Sequence, residues 1–279
     1  MVTVLPLAGL PIIQPGDDLP ALLAEALIPL APVSGDILVV TSKIVSKAED
    51  RFLSLRDIVP SEEATRVGIR ANKDPRLVEV ILRESAAISR IGTRVLITRH
   101  RLGFTSANAG VDHSNTSTDP DTVLLLPVDP DQSALDIQAR LMSLLGLRLP
   151  VIIADSHGRP HRLGTIGVAV GVCGMPAVED WRGRPDLYGF HLQHTDIGLA
   201  DIQMVNFDST VGGAFGHRLK LANRAGWCFV RPPRQHRRAF IRYGPCRCGF
   251  DRSGHSVVVS WPRLAVKGSV RFQIESRTS

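Results

Sequence analysis

Four short apolar runs constrain this chain more than any other feature: Ile37-Leu-Val-Val40, Val95-Leu-Ile-Thr98, Thr122-Val-Leu-Leu-Leu-Pro127 and Val151-Ile-Ile-Ala154. Each is too short for a core helix and is bounded by polar or turn residues, so each reads as a buried strand. Between them lie patterns at helical spacing. After Asp17-Asp18, which can cap a helix, Leu19, Leu22, Leu23, Ala26, Leu27 and Leu30 share one face. Ser61-Glu62-Glu63 opens a second helix, and Asp74-Pro75 opens a third carrying Leu77, Val80, Ile81 and Glu84. Ser133 to Leu145 reads as a fourth, with Leu135, Ile137, Leu141 and Leu144 inward. Strands alternating with helices and long polar loops predict an α/β or mixed α+β body.

Polar residues collect where these runs end. The segment 99–115 has no helix or strand period, and its last part, Asn108-Ala-Gly-Val-Asp112-His-Ser-Asn115, sets two amides, a carboxylate, an imidazole and a hydroxyl around one glycine. Alone, such a cluster is most simply a turn whose side chains bond their own backbone. A second carboxylate changes the balance: Val151–Ala154 runs into Asp155-Ser156-His157-Gly158. Two strand ends that each deliver a carboxylate can share a divalent cation, because hard ions take oxygen ligands from separate segments and complete their shell with phosphate. The run Ile37–Val40 is followed by Thr41-Ser42-Lys43-Ile-Val-Ser46-Lys47. Hydroxyl and ammonium donors suit a phosphate, although the spacing is not that of a glycine-rich phosphate loop, and two lysines beside a strand also read as a solvated face.

Composition excludes some classes. With 44% hydrophobic and 22% charged residues over 279 positions, the chain can bury a core and is not disordered overall. Its first residues lack a basic start, and no apolar run approaches the roughly 20 residues of a spanning helix, so a cytoplasmic protein without membrane contact is expected. Four cysteines do not make a disulfide scaffold, and Cys246-Arg-Cys248 is too closely spaced for a zinc knuckle. Charge is unevenly placed. From Ile202 to Ser279 there are 14 Lys and Arg against 3 acids, which leaves 19 against 24 before them.

Taken together, six ordered motifs resemble the coenzyme F-420 γ-glutamyl ligase family: Gly9-Leu-Pro-Ile-Ile13, Asp36 to Glu49, Ala107 to Asn115, Leu125-Leu-Pro-Val-Asp-Pro-Asp131, Asp155-Ser-His-Gly-Arg-Pro160, and Arg182-Gly183 through Asp186. The resemblance implies that family's fold and a GTP-dependent enzyme adding L-glutamate to the phospholactyl carboxylate of a deazaflavin precursor, F-420-0, through an acyl phosphate. By the same resemblance, Leu10, Pro11, Ile12, Ile13, Ser42, Lys47 and Asn115 would touch the nucleotide. Asp112, Asp155 and Ser156 would hold two Mg²⁺ or Mn²⁺ ions, with K⁺ a further candidate cofactor. Lys47, Asp112 and Asp155 would carry the catalysis. Arg159, Arg162 and Arg182 are candidates for gripping substrate carboxylate or phosphate, and a homodimer is implied.

The motifs stop after Thr195-Asp-Ile-Gly-Leu-Ala-Asp201, where the charge also changes. The sequence thus divides into a ligase-like body, 1–201, and a basic C-terminal segment, 202–279, that has either diverged or is read in a different frame. That segment is expected to pack poorly, with only Val257–Trp261 and Val270–Ile274 suited to strands. Two alternatives follow from it: an inactive ligase remnant, or a nucleic-acid-binding protein using aromatic residues set among the arginines of the tail.

Overall fold

The computed structural model describes residues 3–158, 160–161, 163–202 and 227–231. In chain order these form β1 (Thr3–Pro6), α1 (Leu19–Leu27), β2 (Ile37–Thr41), α2 (Ser42–Ala48), β3 (Phe52–Ser54), α3 (Glu62–Ala71), α4 (Pro75–Arg83), β4 (Ser85–Gly92), β5 (Val95–His100) and β6 (Thr105–Ala107). There follow β7 (Thr122–Leu124), α5 (Pro130–Leu145), β8 (Val151–Gly158), β9 (Thr165–Cys173), β10 (Glu179–Asp180), β11 (Asp196–Ile197) and β12 (Trp227–Arg231). The mixture is the expected α/β architecture.

A five-stranded sheet in the order β1-β12-β2-β8-β9 organises it. Only β2 and β8 are parallel, and both faces of that pair are covered, which is why their sequences read as unbroken apolar runs. Leu38, Val40, Val151 and Ile153 pack under α1 and α5 against Leu23, Leu27, Ala134, Ile137 and Leu141. Ile37, Val39, Ile152 and Ala154 turn to the other face and meet Ala200. Around the sheet lie a β3–β7 pair, an antiparallel β4-β5-β6 sheet and a β10–β11 hairpin. The helices α3 and α4 pack on β5 through Ala64, Val67, Ala71, Val78, Ile81 and Leu96.

Helix starts follow their caps. Asp18, Ser61, Asp74 and Asp129 each accept a backbone N–H from the first turn of α1, α3, α4 and α5. Because Asp129 caps at Pro130, α5 begins three residues before Ser133, and its register buries Ala134, Ile137 and Leu141 while Leu135 and Leu144 are exposed. The expected inward placement of those two leucines is therefore corrected. The outer edge of β9 is closed by side chains, since Val172 N–H donates to Asp131 (2.7 Å) and Ala169 N–H to Asp201 (2.9 Å).

Two further expectations change. β8 does not end at Ala154 but continues to Gly158, pairing Asp155 with Val168, so this carboxylate sits within a strand. The basic segment contributes β12, which pairs with both β1 and β2 and closes the sheet between them. Its Trp-Cys-Phe-Val sequence is a strand that the apolar pattern of the segment did not single out. Val257–Trp261 and Val270–Ile274 lie outside the described residues. Among the described residues no helix is long and apolar enough to cross a membrane.

Candidate functional site

Strand alternation carries the β8 face from core to cleft. Val151 and Ile153 are buried under the helices, and Asp155 and His157 project from the same face two and four residues further on. The Ser156 side chain therefore leaves from the opposite face, where it is exposed. Asp155 is held at both oxygens: Ser42 Oγ donates to Oδ1 at 3.1 Å, and His157 Nε2 lies 3.2 Å from Oδ2. A carboxylate oxygen accepts, so this contact is a hydrogen bond in the tautomer that carries the proton on Nε2. His157 is buried, with the Phe104 ring tilted against it at 5.0 Å and His100 stacked beyond Phe104 at 4.9 Å.

Asp112 arrives by a different route. Asn108, Ala109 and Gly110 have positive φ values of 54°, 52° and 66° and form a tight turn, in which a side chain at Gly110 would collide with Leu126. The turn brings Asp112 into a two-way backbone bridge with Leu124, at 2.9 and 2.8 Å. Its Oδ1 accepts from Ser114 N–H (2.8 Å) and Ser114 Oγ (2.9 Å), and its Oδ2 faces Lys43 Nζ at 2.6 Å. Lys43 also donates to the Ser114 carbonyl at 2.7 Å. Burial alone would raise the Asp112 pKa, but Lys43 and the two Ser114 donors together hold it below the usual carboxylate range.

The helix α2 joins the two carboxylates. It starts directly after β2, so Ser42 reaches Asp155 from its first residue and Lys43 reaches Asp112 from its second. Lys47 follows Lys43 by one turn and is half-buried. Burial first, then the Lys43 charge, lower its pKa against the opposing pull of Asp112. Ser42, Lys43, Ser46, Gly110, Asp112, Leu124 to Leu126 and Asp155 line one small cleft. A larger concavity beside β9 carries Asp131 and Asp201, but each of those is already bonded to a strand N–H, which leaves the smaller cleft as the candidate site.

Of the residues singled out by sequence, the structure thus brings together Ser42, Asp112 and Asp155, with Lys47 close enough to Asp112 to feel its charge. Leu10, Pro11, Ile12 and Ile13 lie in the extended segment before α1; Leu10 and Ile13 pack into the core and Ile12 is exposed. Gly16 N–H donates to the Ala48 carbonyl at 3.1 Å, which ties the end of that segment to α2. Asn115 adopts a left-handed conformation immediately after Ser114. Arg182 is outside the cleft and grips Asp180 through Nε and Nη2, at 2.9 and 2.8 Å. Arg159 and Arg162 lie outside the described residues. The readings that gave Lys43, Ser114 and His157 no individual role missed three direct contacts of the carboxylates. Two signals were available: the i, i+4 spacing of Lys43 and Lys47 on a helix, and the i, i+2 spacing of Asp155 and His157 on a strand.

The donor set fits a hard divalent cation, being two carboxylates and neighbouring hydroxyls without sulfur, and the ammonium resting on Asp112 shows a position that accepts positive charge. Among the described residues no group of three or more His, Cys, Asp and Glu side chains gathers at one point. Other oxygens would have to complete a shell built on these two carboxylates.

An α/β body whose buried strand pair leads into Ser42, Lys43 and Asp155, with Asp112 brought beside them by a turn, sets two carboxylates, two serine hydroxyls and an ammonium in one cleft. The comparison with known proteins narrows the class. The family model described as F-420-0:gamma-glutamyl ligase matches residues 9–216, so the match extends past the last motif at residue 201. Proteins named coenzyme F-420:L-glutamate ligase resemble it over most of their length. The one from Methanopyrus kandleri is 46% identical over 190 residues, covering 68% of this chain and 73% of its own. The one from Methanothermobacter thermautotrophicus is 43% identical over 202 residues, or 72% and 79%. This chain belongs to the F-420-0:gamma-glutamyl ligase family.

Proposed function

We propose that this chain is a GTP-dependent amide ligase that joins L-glutamate to the phospholactyl carboxylate of the deazaflavin precursor F-420-0. The observation that carries the reading is the meeting of Asp112 and Asp155 with Ser42, Lys43 and Ser46 in one cleft, in a chain of this family. The reaction needs such a set. A carboxylate does not acylate an amine at neutral pH because its oxygen is a poor leaving group. Its oxygen therefore first attacks the γ-phosphorus of GTP; the bond from that phosphorus to the bridging oxygen breaks, and GDP departs with the electron pair. The deprotonated glutamate amine then attacks the acyl carbon of the resulting acyl phosphate, and inorganic phosphate leaves.

Both steps concentrate negative charge, so catalysis rests on positioning and neutralisation. Lys47 would meet a phosphate oxygen, a role supported by its place one turn after Lys43 on α2. Asp112 and Asp155 would hold Mg²⁺ or Mn²⁺, which when bound supplies positive charge against the transferring phosphoryl group. Ser42 and His157 fix the orientation of Asp155, and Ser114 fixes that of Asp112. Residues Leu10 to Ile13, Ser42 and Asn115 are assigned to the nucleotide by the same reading, and Arg159, Arg162 and Arg182 to the substrates; Ser156, on the opposite face of β8 from Asp155, would serve a second cation rather than the one in this cleft. A homodimer is part of the proposal. Leu187 and Tyr188, 98% and 95% exposed in the loop between β10 and β11, are surface that a second copy would cover.

The test is the purified protein with GTP, Mn²⁺, L-glutamate and the deazaflavin acceptor, following GDP release and amide formation together. Asp112→Asn and Asp155→Asn should each lower the rate about a hundredfold or more while leaving the fold intact by circular dichroism. GDP release without amide, or turnover unchanged in both variants, would remove the reading.

A further inference from the structure

From the contacts of Asp112 we infer that Lys43 is a built-in placeholder cation: its ammonium occupies the carboxylate oxygen that a divalent ion needs, and it yields that oxygen only when an anionic phosphate arrives to receive it. The inference rests on the proposed role of Asp112 as a cation ligand and adds to it a residue that couples cation binding to nucleotide binding. The geometry is specific. Asp112 Oδ1 is already engaged by Ser114 through two donors, at 2.8 and 2.9 Å. Oδ2 is therefore the oxygen available to a metal, and Lys43 Nζ stands 2.6 Å from it. A hard cation bonds carboxylate oxygen at about 2.0–2.6 Å, so the ammonium and a divalent ion claim the same space as well as the same charge.

Lys43 is not locked in place as a buried ion pair would be. Its side chain is 29% exposed and that of Asp112 is 36% exposed, and an ammonium on a flexible stem can exchange a carboxylate for another anion. The second contact, with the Ser114 carbonyl at 2.7 Å, holds it beside the cleft rather than in bulk water. Lys47 lies one turn further along the same helix, so an ammonium leaving Asp112 has a second positive charge beside it and gains from a polyanion that both can face. A free divalent ion offers Lys43 only repulsion. A divalent ion arriving with a phosphate offers it a new partner. The consequence is ordered binding, in which metal alone binds weakly and metal with nucleotide binds well.

The experiment measures free Mn²⁺ by electron paramagnetic resonance during titration of the full chain, with and without GDP. Four proteins are compared: the wild type, Lys43→Met, Lys47→Met and Asp112→Asn. Lys43→Met should bind Mn²⁺ alone about tenfold more tightly than wild type, and GDP should tighten it further by a smaller factor than it does the wild type. Lys47→Met removes the same charge from the same helix without touching Asp112, and its affinity for Mn²⁺ alone should rise by a clearly smaller factor. Thermal unfolding gives a second readout: Lys43→Met should melt lower than wild type without Mn²⁺ and recover the difference when Mn²⁺ is added. If Asp112→Asn weakens Mn²⁺ binding but Lys43→Met binds it no more tightly than wild type, the placeholder role is overturned and the cation site stands. Equal gains in the two lysine variants overturn it as well, since general charge would then explain the effect. If Asp112→Asn binds Mn²⁺ as the wild type does, the reading of Asp112 itself fails, and the placeholder role fails with it.

Discussion

The parallel pair β2–β8 and the three-stranded sheet β4-β5-β6 bury their side chains on opposite terms. In the first, the polar atoms at the end of the pair are partnered: Ser42, His157 and both oxygens of Asp155 bond one another. In the second, Thr98 Oγ1 and Ser106 Oγ are buried without a hydrogen-bond partner, while His100 Nε2 faces the Glu84 carboxylate at 3.6 Å. Thr98 and His100 lie on one face of β5, and Ser106 pairs opposite Thr98 on β6. A buried polar atom left unsatisfied costs stability, whereas a satisfied network fixes geometry. The comparison therefore separates a region where polar residues set the position of a carboxylate from one where two facing hydroxyls, Thr98 and Ser106, are buried at a cost.

Substitutions can break that contrast. Leu38→Ala or Ile153→Ala, emptying space under α1 and α5, should lower stability by about 2–5 kcal/mol in denaturant titration. Lys47→Ala should cost about 1.5–3 kcal/mol of nucleotide use, read as a rise in the GTP concentration for half-maximal rate with an unchanged melting temperature. An unaltered GTP dependence would assign that lysine to the solvated face. His157→Phe keeps a ring against Phe104 but removes the donor to Asp155. It should slow turnover roughly tenfold with little loss of stability, because one positioning hydrogen bond of about 1–1.5 kcal/mol is lost. Thr98→Val should do the least. It replaces an unpartnered hydroxyl with a methyl of similar shape, so stability should be unchanged or rise by up to about 1 kcal/mol. A loss of 2 kcal/mol would show that the β5 face is as closely organised as the β8 face.

Acid sharpens the same contrast. The Asp112 pKa is lowered on folding, so its contribution is present above the ordinary carboxylate value and is lost as pH falls through the depressed one. Glu49, which accepts from Ser133 at the far end of α2, is shifted upward, chiefly by burial. The folded chain holds that proton more tightly than the unfolded chain, so stability declines as pH rises from about 4.5 through the raised value. Glu49→Gln should flatten that decline and Lys43→Met should shrink the acid loss, both measured as melting temperature against pH.

Much of the fold was legible because apolar runs and caps are local signals. Ile37–Val40 and Val151–Ala154 announced two buried strands, though not their parallel pairing, and Asp18, Ser61 and Asp74 announced their helices. The continuation of β8 was hidden, because Asp155-Ser-His-Gly resembles a turn until β9 supplies its partners. α2 was hidden because seven residues with two lysines and two serines carry little apolar period. β4 was missed for a similar reason: it is largely exposed and bulged, with no clean alternation. In the site, residue types pointed to Asp112 and Asp155, but the Lys43–Asp112 contact joins residues 69 positions apart and depends on the turn at Asn108 to Gly110. The contact between Asp155 and Ser42, 113 positions apart, likewise required β2 and β8 to be neighbours.

The central claim is that Asp112 and Asp155 act as one cation-holding pair facing a nucleotide phosphate. The most direct test is anomalous scattering from crystals of the protein grown with Mn²⁺ and a non-hydrolysable GTP analogue. The account predicts manganese within about 2.0–2.6 Å of an oxygen of each carboxylate, with Lys43 moved from Asp112 onto a phosphate oxygen. Manganese bound elsewhere, with the Lys43–Asp112 and Ser42–Asp155 contacts intact beside a bound nucleotide, would contradict it.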